Sequence, residues 1–396
     1  VFVNIDQIRY IDTSGNVSIR RSHVIAKTIQ SYMISTGPIF YIEFFNNDGL
    51  ILADINKVIS SEYLDKVRRG DFKIAFHNIH EGFHNITTGI LAFAIKHEIP
   101  TENIIVMTAN HNLAQWAKEA AKKFNTSIPR VVLCDIFEIQ ASNVIEHFSS
   151  IDVKTYNPRE ITHRYLNLNR RQRSHRPMLV AALINSGLHH SGKISFGPSD
   201  FNEGPRQRDI MLAASDLWEI CPEMSSNIRK NMDEIMSHLP MYLDHDDLVQ
   251  NYAHSNIADC ELYRTTMCSV VSETTFFSHA CARSFVRPEP GVFLSEKTWK
   301  AIAHRHPWIM VSQPGTQEIL RSKGYKTFGE FFDESYDYEQ DDYQRMLMIY
   351  RVIEKICNWT PQKVKEFLAY SGPITLYNQN LLRSKINTRD FFKELT

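Results

Sequence analysis

Apolar and polar positions along this chain fall into two alternating rhythms, short apolar runs and longer stretches with a helical period. YIEFF (41–45) and LILADI (50–55) are apolar runs joined by NNDG, which predicts a hairpin. KIAFHNI (73–79) predicts a strand that runs into the loop HEGFHN. TTGILAFAIKH then predicts a helix, closed before Pro100. NIIVMTA (103–109) predicts a buried strand, LAQWAKEAAKKF a helix, and VVLCDIF (131–137) the next strand.

The polar stretch 152–159, which contains a proline, predicts a linker, and the rhythm restarts beyond it. RYLNLN (164–169) predicts a strand, and Pro177 opens a helix through Ser186 with Gly187 at its C′ position. The span 200–262 shows no clear period. CSVVSET (268–274) predicts a strand. In FLSEKTWKAIAHRHPW (293–308), Ser295 is a good N-cap, and Trp299, Ile302 and Ala303 form one apolar face, so a helix starts near Glu296. WIMVSQPG (308–315) predicts a strand, followed by a short helix that stops at Gly324. The acids of DESYD (333–337) are placed to cap a helix, and the chain is mainly helical from Asp341.

Strands alternating with helices predict an α/β chain with parallel sheets and two Rossmann-like domains, 1–160 and 161–345, and a helical C-terminal tail, 346–396. Ligands of such sheets sit beyond the carboxyl ends of the strands. In the first domain those ends are the loops His77 to His84, Asn110 to Asn112 and Asp135 to Glu138.

Composition changes this picture little. Over 396 residues the formal net charge is −1, so no global field draws the chain to nucleic acid or to an anionic membrane. Cys134, Cys221, Cys260, Cys268, Cys281 and Cys357 include no CxxC pair, which predicts reduced thiols rather than a zinc site. No stretch approaches the roughly 20 apolar residues of a membrane span, and the N-terminus does not read as a signal peptide. A cytoplasmic protein is expected.

Candidate chemistry concentrates in the second domain. Arg170, Arg171, Arg173 and Arg176, with His175, crowd a strand-to-helix loop. Helix amides point at such a loop, and arginine forks bind phosphate oxygens in pairs. A solvated basic loop is the plain alternative, and contact with a nucleic-acid backbone is a further one. Glu273 ends an apolar strand, where it either caps the following segment or accepts hydrogen bonds from sugar hydroxyls. Lys297 sits in the first turn of a helix, where a cation is unfavourable by a few tenths of a kcal/mol, roughly, unless an anion compensates. It either points into water or faces a phosphate. Two cationic helix starts in one α/β domain suggest one diphosphate-bearing ligand.

In the first domain, His80, Glu81 and His84 match the zinc pattern HExxH in letters. That pattern needs a helix, and a preceding strand and Gly82 oppose one, so no metal is expected. Glu81, with His80 beside it, is the candidate general base, against a polar loop without chemistry. No GxGxxG and no Walker loop is present.

From Arg164 to Asp337 the chain resembles the C-terminal, donor-binding half of the alpha-1,3-fucosyltransferase family. YLNLN followed by Arg176, SVVSE ending in Glu273, and FLSEKTWKAIAHRHPWIMV with Glu296–Lys297 carry the resemblance, in that order. Thr274 stands where the family commonly has asparagine, and Arg170, Arg171 and Arg173 are additions. The resemblance implies an inverting glycosyltransferase of GT-B type, its two domains facing a cleft, that uses a nucleotide diphosphate sugar and no obligatory metal. It implies that Arg176 and Lys297 bind the diphosphate and that Glu273 and Glu296 bind sugar or ribose hydroxyls. Arg170 and Arg173 are candidate donor-binding residues from the charge of the loop itself, not from the resemblance. Residues 1–160 would then hold the acceptor and supply the base. In style the chain is also similar to proteins of large bacteriophages that glycosylate hydroxymethylated pyrimidines in their own DNA. That implies such DNA, or a glycan, as acceptor, in the host cytoplasm if the chain is viral. A non-catalytic nucleotide- or nucleic-acid-binding protein using the arginine loop 170–176 is the alternative.

Overall fold

The computed structural model describes residues 9–11, 17–18, 39–44, 61–78, 87–147, 160–169, 175–196, 210–211, 214–215, 221–241, 243, 260–278 and 291–385. The chain is α/β and divides into two compact units, with the boundary between Ile136 and Phe137.

The first unit is built on β1 (Arg9–Ile11), β2 (Val17–Ser18), β3 (Ile39–Phe44), α1 (Ser61–Arg68), β4 (Lys73–Asn78), α2 (Thr87–Lys96), β5 (Ile104–Thr108), α3 (Leu113–Phe124) and β6 (Arg130–Leu133). The sheet order is β2-β1-β3-β4-β5-β6. Among the described residues β1 and β2 pair antiparallel, and β1, β3, β4, β5 and β6 run parallel. Every residue of β5 is buried, as expected of a central parallel strand covered on both faces, and this is why IIVM reads as an unbroken apolar run. Leu64 and Val67 of α1, Phe93 of α2, Phe76 of β4 and Val106 of β5 share one core.

Two details differ from the sequence reading. Both edges of β3 are occupied, by β1 and β4, and the expected hairpin partner at 50–55 lies outside the described residues. The strand expected over 131–137 ends at Leu133. Cys134 still donates its N–H to the Thr108 carbonyl at 2.6 Å, but the Ile136 N–H turns back onto the Cys134 carbonyl at 2.9 Å. Ile136 and Phe137 therefore open a helix, α4 (Ile136–His147). The linker expected at 152–159 lies outside the described residues.

The second unit continues with β7 (His163–Asn169), α5 (His175–Asn185), β8 (Gly192–Phe196), α6 (Pro222–Lys230), α7 (Met232–Ser237), α8 (Cys260–Arg264) and β9 (Thr266–Ser272). It closes with α9 (Glu296–Ala303), β10 (Trp308–Val311), α10 (Thr316–Ser322), α11 (Asp342–Cys357) and α12 (Pro361–Ser384). Its sheet has the order β10-β9-β7-β8, and all pairs are parallel. After α5 the chain adds β8 on one side of β7; it later returns to add β9 on the other side. With right-handed crossovers, such a reversal puts the connecting helices on opposite faces and opens a crevice at the carboxyl ends of β7 and β9.

Local chemistry fixes these elements. Gly187 ends α5 with φ of 71°, the left-handed conformation that favours glycine. Gly192 opens β8 where a Cβ would lie 2.2 Å from the Tyr165 ring, so no larger residue fits. α10 starts at Gly315, which has no side chain to cap it. Asp337 supplies the cap instead, accepting from Gln317 N at 2.9 Å and Glu318 N at 3.1 Å. At the amino end of β9, His306 Nδ1 meets Ser269 Oγ at 2.6 Å and Nε2 meets the Thr266 carbonyl at 2.9 Å. His304 stacks on Tyr263 with ring centroids 3.9 Å apart. Burial pushes these imidazoles down to about 3 for His304 and about 4 for His306, so both are neutral at physiological pH.

Candidate functional site

The carboxyl ends of β7 and β9 form the reversal point of the second sheet, and a polar network is built there. β7 ends in Asn167 and Asn169, both buried. Asn167 Nδ2 donates to the Val270 carbonyl at 2.7 Å and to Ser272 Oγ at 3.1 Å. Asn169 Nδ2 donates to Asn167 Oδ1 at 2.5 Å, and its backbone N–H donates to Ser195 Oγ at 3.2 Å. These amides tie the end of β7 to its two neighbours.

The first residues of α5 reach across to the end of β9. Arg176 is buried, and its Nη2 donates to the carbonyls of Ser272 at 2.9 Å and Glu273 at 3.1 Å. His175 Nε2 lies 3.0 Å from the same Glu273 carbonyl, so that nitrogen carries the proton. Its ring stacks on Phe276 at 5.4 Å.

The Glu273 side chain turns the other way, to the start of α9, and is 1% exposed. Its Oε1 accepts from Ser295 N at 3.2 Å and Thr298 Oγ1 at 2.5 Å. Its Oε2 accepts from Ser295 Oγ at 2.5 Å and Thr274 N at 3.2 Å. Four donors use the roughly four lone-pair sites of a carboxylate. The charge lies where the helix macrodipole is positive, which stabilises it. Glu273 thus fixes the start of α9.

Ser295 is the N-cap of α9 and its hydroxyl is fully used. It donates to Glu273 and accepts from Lys297 N at 3.4 Å and Lys297 Nζ at 2.9 Å. The Lys297 ammonium also lies 2.8 Å from Glu296 Oε1, and these two side chains are 23% and 21% exposed. An ammonium has three donors, and Ser295 and Glu296 take two of them. The anion that compensates a lysine in the first turn is its own neighbour. Arg176, Glu273, Ser295, Glu296 and Lys297, scattered over about 120 residues, form one connected chain of contacts.

A second network, not visible in the sequence, holds the segment after β9. Arg345 of α11 is fully buried. It donates to the carbonyls of Ser312 at 3.1 Å, Glu339 at 2.8 Å and Phe276 at 2.5 Å, and to Asp342 Oδ1 at 2.6 Å. Its guanidinium stacks over the Phe276 ring at 4.5 Å. Burial lowers its pKa, and the Asp342 carboxylate opposes that shift. Asp342 Oδ1 in turn accepts from Ser278 N at 2.7 Å. Gln313 joins in, donating from Nε2 to the Phe277 carbonyl at 2.8 Å and accepting from Gly291 N.

Of the other residues the sequence points to, Arg170, Arg173, His80 and Glu81 lie outside the described residues. In the first unit, the loops after β5 and β6 bring together a pair that the sequence reading did not: His111 Nε2 lies 3.0 Å from Asp135 Oδ1. Among the described residues, no group of three or more His, Cys, Asp or Glu is arranged to hold a metal ion. No described helix is long and apolar enough to cross a membrane.

No protein-family model matches the chain, and no curated protein matches it. Among solved structures, the chain is similar to the N-terminal domain of trehalose-6-phosphate phosphatase from Candida albicans. The TM-score is 0.40 and the identity 10%, over 93% of this chain and 73% of that one. It is also similar to a glycosyltransferase from Rickettsia africae, with a TM-score of 0.36 and 10% identity over 94% of this chain and 79% of that one.

Proposed function

We propose that the chain is an inverting glycosyltransferase that moves a sugar from a nucleotide diphosphate sugar to a hydroxyl. The observation that carries this reading is the contact chain from Arg176 through Glu273 and Ser295 to Lys297, at the carboxyl ends of β7 and β9. Open parallel sheets bind their ligands at such a reversal of strand order. In this reading Arg176 and Glu273, both buried, act as positioning residues instead of the ligand contacts that the resemblance implies, and Glu296 and Lys297, partly exposed, meet the ligand.

In this proposal Lys297 binds the donor's diphosphate, and Glu296 accepts hydrogen bonds from sugar or ribose hydroxyls. Arg170 and Arg173 add positive charge for the same anion. The sugar is transferred by in-line displacement at its anomeric carbon, and the leaving diphosphate is stabilised by these cations and by amides of the first turn of α9. The cations supply the charge that a metal would otherwise bring, so the proposal includes no obligatory metal. The first unit holds the acceptor and takes its proton; Glu81, with His80 beside it, is the candidate for that step from the sequence. The acceptor is a hydroxymethylated pyrimidine of DNA or a glycan hydroxyl. The working compartment is the cytoplasm, the host's if the chain is viral.

Incubation with a panel of nucleotide diphosphate sugars and either hydroxymethylcytosine-containing DNA or an oligosaccharide tests the reading. Release of nucleoside diphosphate with matching sugar on the acceptor is expected. Salt-sensitive DNA binding with no turnover would instead favour the binding-protein reading.

A further inference from the structure

We propose that Asn169 is a specificity-determining residue of the nucleotide-sugar site: its side-chain oxygen accepts a hydrogen bond from a hydroxyl of that ligand. The inference deepens the transferase reading above and rests on it for the identity of the ligand. Every residue it uses belongs to the second unit.

Asn169 is the last residue of β7, at the reversal point of the sheet. Its contacts place it in the network already described. Asn169 Nδ2 donates to Asn167 Oδ1 at 2.5 Å, and Asn167 Nδ2 donates to Ser272 Oγ at 3.1 Å. The Ser272 carbonyl in turn accepts from Arg176 Nη2 at 2.9 Å. The Asn169 side chain is thus the β7 end of the contact chain that runs through Glu273 and Ser295 to Lys297. In an open parallel sheet, that end of the strands is where ligands sit.

The partners fix which way round the amide lies. Asn167 meets the Val270 carbonyl at 2.7 Å, and a carbonyl does not donate, so Asn167 presents Nδ2 there. Its Oδ1 is therefore the atom that faces Asn169, and Asn169 must turn its NH2 to it. The other end of the Asn169 amide is then the oxygen. That Oδ1 is buried, in a residue only 1% exposed, and has no hydrogen-bond partner among the described residues. An acceptor sealed from water without a donor is unfavourable, and a donor group on a bound ligand would remove the penalty.

The chemistry of that group follows. An amide oxygen only accepts, so the phosphate oxygens of a diphosphate do not satisfy it. On the neighbouring strand end, Ser195 Oγ accepts from Asn169 N at 3.2 Å and keeps a proton of its own to give. A free acceptor and a donor at adjacent strand ends match a hydroxyl, which is both. Lys297 meets the charge of the ligand in the reading above, and Asn169 meets a neutral part of it, a hydroxyl of the ribose or of the transferred sugar.

Calorimetry on the full chain and on Asn169→Ala tests the assignment. UDP, GDP, ADP, CDP and TDP are titrated first. Each one that binds is then compared with forms lacking the 2′- or the 3′-hydroxyl, and with its glucose, galactose, mannose and fucose conjugates. In the unmodified chain, one of these hydroxyl-bearing groups is expected to add about tenfold in affinity, the worth of one hydrogen bond. In Asn169→Ala the same difference should shrink to about twofold or less. Loss at the 2′ or 3′ position assigns the ribose, and a conjugate's advantage that vanishes in the variant assigns the transferred sugar. A merely structural role would weaken all ligands by one common factor, and equal differences in the two proteins would overturn the proposal. If Asn169→Ala does not fold, Asn169→Ser takes its place. If in the unmodified chain no hydroxyl changes affinity by more than about twofold, the proposal is overturned without any variant. Binding of none of the five nucleotides would sink the donor site itself and this inference with it, whereas binding without coupling would sink only the role of Asn169.

Discussion

The hydroxyl of Ser295 donates to the buried carboxylate of Glu273 at 2.5 Å, which joins the end of β9 to the cap of α9. The same carboxylate takes three further donors, from Ser295 N, Thr298 Oγ1 and Thr274 N. Glu273→Gln removes the charge and turns an amide NH2 onto protons. It should lower unfolding free energy by about 2–3 kcal/mol, measured by urea denaturation, because charge-assisted hydrogen bonds are the ones lost. Ser295→Ala should cost about 1–2 kcal/mol in the same assay, as loss of an N-cap.

Lys297 is expected to behave in the opposite way. Its ion pair with Glu296 is partly exposed, and such pairs contribute about 0–1 kcal/mol. Lys297→Ala should therefore unfold within about 1 kcal/mol of the parent. Its affinity for a nucleoside diphosphate, measured by calorimetry, should fall by about tenfold or more, the loss of a charge-assisted bond. Together the two variants separate a positioning carboxylate from a ligand-facing cation.

Arg345 should be the most costly side chain to remove. It is fully buried and holds carbonyls of three separate segments as well as Asp342. Arg345→Met leaves the Asp342 charge without its guanidinium partner, and denaturation should report a loss of about 3–5 kcal/mol.

Stability should fall as pH drops from 6.5 towards 4. His304 and His306 are neutral in the fold, with pKa values pushed by burial down to about 3 and about 4. In the unfolded chain both titrate near 6.5, roughly. Below that pH the unfolded state binds more protons than the folded state, so stability is full above it and is lost progressively towards the folded values. Each imidazole adds a slope of roughly 1.4 kcal/mol per pH unit. Unfolding of His306→Gln, followed between those pH values, should show a shallower slope than the parent.

β4, β5, β7, β9 and β10 were legible because parallel strands are covered on both faces and read as apolar runs, as IIVMT does in β5. The short β1 and β2 and the strand GKISF of β8 were not read from the sequence. The start of α9 was legible too, since Ser295 is followed by a clean amphipathic period. The end of β6 was not, because Ile136 and Phe137 extend the apolar run of a strand while belonging to a helix. The site was legible one motif at a time. That Glu273 meets Ser295 and Thr298 depends on a chain return that has no local signature. Arg345 was hidden for a different reason: its partners are mostly backbone carbonyls, which no side chain announces. His111 and Asp135 lay in loops that the strand order marks as ends, but their pairing follows from the register of β5 against β6.

The most direct measurement is a thermal-shift series of the purified chain and of Lys297→Ala against UDP, GDP, ADP, CDP and TDP, each with and without magnesium. A ligand at a hundred times its dissociation constant adds about 2.7 kcal/mol to stability. The account predicts that one diphosphate raises Tm of the parent, with or without the metal, and that Lys297→Ala loses most of that rise. No shift with any of the five, or a shift that survives intact in Lys297→Ala, would contradict a donor site at the start of α9.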